Sequence, residues 1–479
     1  MNGKNYSMLC DFYSLTMANA YWQQGKQKEI AYFDLFYRTV PDGGGFVIAA
    51  GLEQLVDYIS NMRFTEEDIS YLRGKGIFSE DFLDYLRNFR FSGDITAVAE
   101  GTPVFPNEPI LTVRAPVMEA QLIETYALLC INHQSLIATK ANRIVRAASG
   151  KPVLELGARR AHGADGAVIG ARAAYIGGVS ATSCVMSELE YSVPACGTMS
   201  HAWVQMFDNE YEAFASFCRQ YPQNAVLLVD TYNVLDSGVP NAIRAFKEIL
   251  LPQGITDFAI RLDSGDLSYL SAKSREILDK AGLTSCKIVA SNSLDEFVIQ
   301  DLERQGAKID VYGVGERLIT SKSAPVLGGV YKLVAVERGG NIMPKIKISE
   351  NVSKITTPCP KKLYRLYRRT TGEAIADLLC VHDEEIDDSK PMELFDPQNP
   401  WRRKVVTDFT ARLLHVLIFK NGECVYSLPS AAQVRGYCAE QVKTLWDEVK
   451  RFENPHRYYV DLSPKLWSIK QNLLKKDRL

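Results

Sequence analysis

The chain has 479 residues, of which 46% are apolar and 23% charged, with a formal net charge of −2 and a pI near 6.4. That length allows about two to four domains of ordinary globular composition, and the near-neutral balance excludes bulk attraction to nucleic acid or an anionic membrane. The ten cysteines are scattered with no C-x-x-C pair. This spacing reads as reduced thiols in a cytoplasm rather than a disulfide frame or a zinc site. Residues 1–6 lack the apolar core of a signal peptide, and no stretch approaches the roughly eighteen uninterrupted apolar residues of a membrane helix. The expectation is a soluble, cytoplasmic protein with neither nucleic acid nor membrane as partner.

Residues 7–22 have helical periodicity: Leu9, Phe12, Leu15 and Met17 share a face, decorated by Asp11, Tyr13, Thr16 and Tyr21. Ile30–Tyr37 reads as a strand, and the glycines at 43–45 as a flexible loop before a second short strand at 46–50. Thr65 and Ser79 each precede acidic residues, the pattern of a capping hydroxyl at a helix start. Three β-like pieces, 95–98, 102–105 and 110–113, are bounded by turns and prolines and predict a small antiparallel sheet. A helical pattern then covers 118–148, with a break expected near Ile131-Asn132-His133.

From residue 152 a different rhythm begins. A strand at 152–157 runs into Arg159 and Arg160, two planar cationic forks set in an alanine and glycine stretch, which suit carboxylate or phosphate. A helix of small residues at 167–175 leads to Gly178-Val179-Ser180-Ala181-Thr182-Ser183, read as a strand end whose hydroxyls face a ligand. Four further apolar runs, 225–230, 258–263, Lys287–Ser291 and 309–315, each break into a polar or glycine-bearing turn and then a helix, at a spacing of about 25 to 30 residues, the length of a βα unit. With a turn at Cys196 there are seven candidate strand ends, at 157, 178, 196, 230, 263, 291 and 313. That number predicts a barrel-like closure, incomplete or irregular, with its chemistry at the C-terminal ends of parallel strands. Beyond residue 323 hairpins are expected around Gly339-Gly340, Thr371-Gly372 and Asn421-Gly422, with a helix at 430–452.

Several residues in this frame carry chemistry. Gly313-Val314-Gly315-Glu316 follows the last barrel strand and opens a helix, a position where backbone N–H groups serve a phosphate. In Arg261-Leu262-Asp263-Ser264-Gly265-Asp266 the carboxylates of Asp263 and Asp266 suit ribose hydroxyls or Mg²⁺, and Arg261 suits a pyrophosphate; capping of the next helix by Asp266 is the plainer reading, and the two roles are compatible. Asp230 and Thr231 add a third acid and a hydroxyl. His201 lies at a strand end, where a structural role and a nucleophilic or acid/base role are both open.

Seven separated motifs between about residue 7 and residue 350 resemble nicotinate phosphoribosyltransferase. They are Asp11-Phe12-Tyr13-x-x-Thr16-Met17; Glu100-Gly101-x-Pro103-Val104-Phe105-Pro106-x-Glu108-Pro109; Glu124-Thr125 through Asn132; Glu155-x-Gly157-x-Arg159-Arg160-Ala161; Gly197-Thr198-Met199-x-His201; Arg261-x-Asp263-Ser264-Gly265-Asp266; and Gly313-x-Gly315. The resemblance implies an α/β fold: an irregular (β/α) barrel of the type II phosphoribosyltransferase kind at 119–330, after an N-terminal α+β sandwich domain at 1–118. A β-rich segment at 331–390 is expected to pack back on that domain, and a C-terminal extension follows at 391–479. It implies ATP-linked transfer of phosphoribosyl from 5-phosphoribosyl-1-diphosphate to nicotinate in NAD salvage. Gly313, Gly315 and the Glu316 amide would hold the 5-phosphate. Arg261 and Asp263 would hold the ribose and pyrophosphate side with Asn292 nearby, and Mg²⁺ would sit at Asp263 and Asp266. Arg159, Ser180 and Thr182 would face the nicotinate, and His201 would be phosphorylated by ATP. Tyr13 would stack on the pyridine ring from the second subunit of a homodimer with shared active sites. The absence of an acid at 178–183 favours nicotinate over nicotinamide, because a buried acid there would repel a carboxylate. A nicotinamide or quinolinate phosphoribosyltransferase, or a non-catalytic sugar-phosphate-binding barrel, is the alternative.

Overall fold

The computed structural model describes residues 5–476, so the outermost residues of the chain, 1–4 and 477–479, lie outside the account. The four segments read from the sequence are assembled as two compact units, Met1–Leu136 with Val326–Leu479, and Ile137–Pro325. The change of unit falls inside a helix, Glu124–Ala147, which contains neither glycine nor proline to interrupt it. The expected break at 131–133 is therefore absent. The interruption comes earlier, at Ile123, between Val117–Leu122 and Glu124–Ala147.

The first unit is built on a seven-stranded sheet ordered Asn341–Pro344, Gly329–Arg338, Ile30–Tyr37, Leu111–Pro116, Asp94–Val98, His415–Lys420, Glu423–Cys424. Ile30–Tyr37 is buried at all but its first position, which fits a strand flanked on both sides and packed on both faces. Its partner Gly329–Arg338 pairs with it from Ile30↔Glu337 to Tyr37↔Gly329, so the segment after residue 330 does return to the N-terminal sheet. The chain near residue 415 returns as well, because His415–Lys420 pairs with Asp94–Val98. Of the three short pieces expected to form a sheet of their own, two join this larger sheet, while Pro103–Val104 pairs with Val47–Ile48.

A four-stranded sheet, Phe409–Leu413, Lys361–Arg368, Ala374–Val381, Val460–Leu462, completes the principal layers of this unit. Arg365 and Asp377 face each other across its central pair, both fully buried, 2.6 Å apart, with the guanidinium also donating to the Pro103 carbonyl at 2.8 Å. Gly339 and Gly340, both at positive φ, form a two-residue hairpin turn, which places the returning strand at Asn341–Pro344. The helix expected at 430–452 is shorter than its pattern: Ser430 caps it with Gln433 in a capping box, and it ends at Lys443.

The second unit carries a six-stranded sheet ordered Ala181–Thr182, Val153–Glu155, Val311–Val314, Lys287–Ser291, Ala259–Leu262, Val226–Leu228, and every pairing in it is parallel. A parallel bridge from Thr182 to Ala195 adds a seventh position at one edge. Among the described residues no ladder joins that edge to Val226–Leu228, so the sheet is an unclosed barrel. Parallel strands put all their C-terminal ends on one edge. Six of the seven expected ends lie at or just beyond them, but Gly177 and Gly178 do not. They close the helix Ala164–Ile176, Gly178 with φ +119, and the strand begins after them at Ala181. No described helix is long and apolar enough to cross a membrane.

Candidate active site

The centre of the site is the guanidinium of Arg261, projecting from the strand Ala259–Leu262. Its Nε donates to Ser291 Oγ at 2.9 Å, one terminal nitrogen to Thr198 Oγ1 at 3.0 Å and the other to Asp263 Oδ1 at 2.9 Å. Three bonds in one plane use the fork that distinguishes arginine from lysine, and they tie together three strand ends. Ser291 Oγ also bonds Asp263 Oδ1. The other oxygen of Asp263 faces His201, with Nε2 3.8 Å away, while Nδ1 of the same ring meets Thr231 Oγ1 at 3.1 Å. The imidazole is thus oriented by a hydroxyl on one side and directed at a carboxylate on the other, and its side chain is 42% exposed.

A third acid, Asp230, holds the loop in which Asp263 sits. Its Oδ2 accepts from the Asp263 backbone N–H at 3.0 Å and from Ser264 Oγ at 2.6 Å, while Oδ1 is buried and unbonded among the described residues. Asp266, expected to share a metal with Asp263, instead accepts from the Tyr269 amide at 3.0 Å and caps the helix Leu267–Lys280. Its Oδ1 thereby satisfies one of the four orphan donors that a helix start presents. Among the described residues no group of three or more histidine, cysteine, aspartate or glutamate side chains could hold a metal ion by itself. The donors that remain, Asp263 and the free oxygen of Asp230, fit a Mg²⁺ that takes one or two protein carboxylates and its other ligands from substrate phosphates and water.

The glycine loop is compact for a visible reason. A Cβ on Gly313 would lie 2.6 Å from Leu156 Cδ1, and one on Gly157 would lie 2.7 Å from the Gly315 carbonyl, so the ends of two neighbouring strands approach backbone to backbone. The turn Glu316–Ile319 follows, and the first amides of such a turn have no carbonyl four residues back to receive them. The Glu316 carboxylate is drawn aside to Lys322 Nζ at 2.8 Å. Lys322 first, then Arg160 and Arg317, hold it below the usual carboxylate range. Asn292, at φ +91, occupies the turn after Ser291.

Arg159 and Arg160 are exposed on the single turn Ala158–Arg160 and form no ion pair among the described residues. Ser180 is half-buried and anchored through its backbone N–H to the Val153 carbonyl at 2.8 Å. Thr182 differs from the expectation of a substrate contact. It is fully buried, donates to Glu155 Oε2 at 2.6 Å and accepts from the Cys184 amide at 3.0 Å. Glu155 also accepts from the Gly157 amide, and burial raises its pKa above the ordinary carboxylate value. Tyr13 belongs to the first unit, on the helix Phe12–Gln23, 46% exposed, with its phenol pushed up to about 12 by burial and then by Glu124, which it bonds. The sequence marks Asp230 as a third acid, Thr198 as part of the motif before His201 and Ser291 as a member of a strand-end turn, without their bonds to Arg261 and to the Asp263 loop. Their roles depend on which strands are neighbours, although a polar residue at a parallel strand end is itself a signal.

The parallel sheet with its site on the C-terminal edge has the fold of the type II phosphoribosyltransferases. The crystal structure of human nicotinic acid phosphoribosyltransferase superposes with a TM-score of 0.84 at 28% identity, covering 97% of this chain and 100% of that one. A nicotinate-nucleotide pyrophosphorylase from Pyrococcus furiosus shares the fold with a TM-score of 0.70 at 23% identity, over 92% of this chain and 96% of that one. In sequence, residues 8–132 match the nicotinate phosphoribosyltransferase N-terminal domain and residues 360–470 its C-terminal domain. Nicotinate phosphoribosyltransferase of Bacillus subtilis is 46% identical over 464 residues, 97% of this chain and 94% of that protein. The Homo sapiens protein of the same name is 30% identical, over 97% of this chain and 96% of its own. The chain belongs to the nicotinate phosphoribosyltransferase family.

Proposed function

We propose that this chain catalyses transfer of the phosphoribosyl group from 5-phosphoribosyl-1-diphosphate to the ring nitrogen of nicotinate, releasing pyrophosphate, in a reaction linked to ATP hydrolysis that serves NAD salvage. The observation that carries this reading is the Arg261–Asp263–His201 constellation, braced by Ser291, Thr198 and Thr231, on the same sheet edge as the Gly313–Gly315 loop.

The reaction breaks the bond from C1 of the ribose to the pyrophosphate oxygen and forms a bond from C1 to the pyridine nitrogen. Charge develops on both fragments as they separate, so the protein's work is positioning and electrostatics. The Gly313–Gly315 loop and the first amides of its turn fix the 5-phosphate. Arg261 faces the departing pyrophosphate while Asp263, held in place by Arg261 and by Asp230 through its backbone, meets the positive ribose side. Mg²⁺ bound at Asp263 and Asp230 would supply neutralisation of the diphosphate. The free guanidinium of Arg159 and the Ser180 hydroxyl meet the nicotinate carboxylate, and no acid between Gly178 and Ser183 opposes it. ATP transfers its terminal phosphoryl group to His201 Nε2, breaking the bond to ADP, and hydrolysis of that phosphohistidine biases substrate binding and product release. Two copies complete the site, Tyr13 of one stacking on the pyridine bound by the other, and the setting is cytoplasmic. Replacing His201 with alanine abolishes ATP hydrolysis while slow ATP-independent transfer survives. Retained ATP hydrolysis in His201→Ala removes His201 from this role.

A further inference from the structure

The first unit contains a cleft of about 510 Å³ that the reaction does not use. Its floor comes from the four-stranded sheet, with Ile375 and Ala376 on Ala374–Val381 and Asp461 on Val460–Leu462. One wall is the hairpin of Met392–Phe395 and Arg403–Val406, and the other is the segment leading into Val460–Leu462.

Asp461 is 5% exposed and makes no hydrogen bond or ion pair among the described residues. A carboxylate at that depth without a donor costs stability, so it stands ready for an N–H donor that the protein does not supply. Burial, and then the neighbouring Asp396, pushes its carboxyl up to about 7. Around the mouth the chemistry is different. Trp401 is 75% exposed, a flat apolar face offered to solvent, and Arg402 beside it is exposed and free of any ion pair among the described residues. Lys404 stands over the Tyr459 ring at 6.0 Å. Arg403 is already used, paired with Glu393 at 2.6 Å, and Arg457 donates to Gln398 at 3.0 Å.

We propose that this cleft binds a nucleotide, with a flat amino-bearing base lying between the aromatic walls and reaching Asp461, and phosphate held at the mouth by Arg402 and Lys404. Three features select that class. The volume lies within the range of about 300–1,000 Å³ typical of small-ligand sites. The aromatic rings accept any planar base and the free guanidinium accepts phosphate oxygens. An acid on the floor rejects a simple carboxylate or inorganic anion and rewards an N–H donor. A ligand at this site would make the C-terminal region a place where the cell's nucleotide level is read.

The test is equilibrium dialysis of the full-length protein against labelled ADP, with ADP bound per chain counted for the wild type and for Trp401→Ala/Arg402→Ala, whose positions are exposed and tolerate substitution. The wild type binds one ADP per chain more than the double variant. Asp461→Ala weakens that extra ADP about tenfold, the loss of one buried hydrogen bond to a charged group. Inorganic pyrophosphate at the same concentration does not displace it. Equal ADP in wild type and double variant overturns the proposal, and displacement by pyrophosphate alone reduces the site to a surface anion patch and equally refutes it.

Discussion

Replacing Arg261 by lysine keeps the charge and removes the fork. The guanidinium makes three bonds, to Ser291, Thr198 and Asp263, at 2.9, 3.0 and 2.9 Å. A lysine ammonium on a flexible stem can satisfy one of them well. Losing two bonds to a charged donor at about 1.5 kcal/mol each gives about 3 kcal/mol, or roughly a hundredfold in kcat/KM. The loss should fall on kcat as much as on the diphosphate KM, because Asp263 is released together with the proposed contact to pyrophosphate. Steady-state kinetics at varied 5-phosphoribosyl-1-diphosphate, with circular dichroism to verify the fold, make the measurement. A folded Arg261→Lys enzyme within about threefold of wild type in kcat/KM would refute the assignment of Arg261 as the organiser of the site.

Thr182→Val should lower the melting temperature, by the equivalent of about 1–3 kcal/mol for the buried Glu155 bond it removes, while leaving the KM for both substrates unchanged; a raised nicotinate KM at unchanged stability would restore Thr182 to the binding site. Titration with a thiol reagent should find one fast cysteine, Cys424, which is exposed, while buried Cys438, pushed up to about 12, reacts only on unfolding; persistence of the fast phase in Cys424→Ser contradicts this. Asp461 has a folded pKa of about 7, raised above its unfolded value near 3.9, so its neutral form is favoured by the fold. Its stabilising contribution is complete below about pH 4 and is lost as pH rises to about 7. Between pH 5 and 8 the melting temperature of wild type should therefore fall more than that of Asp461→Asn, and parallel curves would show that Asp461 does not titrate in this range.

Much of the second unit was legible because βα alternation is local. Apolar runs of four or five residues ending in Asp230, Asp263, Ser291 and Gly313 declare both the strand and the edge where it ends, and the parallel sheet follows from their number. The direction of a side chain at such an end is not local. Thr182 and Ser180 lie two residues apart in the same hydroxyl-rich turn, yet Thr182 is turned inward by Glu155, 27 residues upstream. Asp266 reads as a metal ligand, a cap or both, and the helix start shows the cap, through Oδ1. The first unit was harder to read for a reason of topology: Ile30–Tyr37 finds its partner near residue 337, and Asp94–Val98 finds one near 415. No periodicity in the intervening chain announces such pairings, so a segment that looked like an extension proved to be part of the sheet.

The central claim is tested most directly by pyrophosphate release from a panel of pyridines with 5-phosphoribosyl-1-diphosphate and Mg²⁺, with and without ATP. Release with nicotinate, stimulated by ATP, and none with nicotinamide or quinolinate is the expected result. Turnover of nicotinamide, or indifference to ATP with nicotinate, would contradict it.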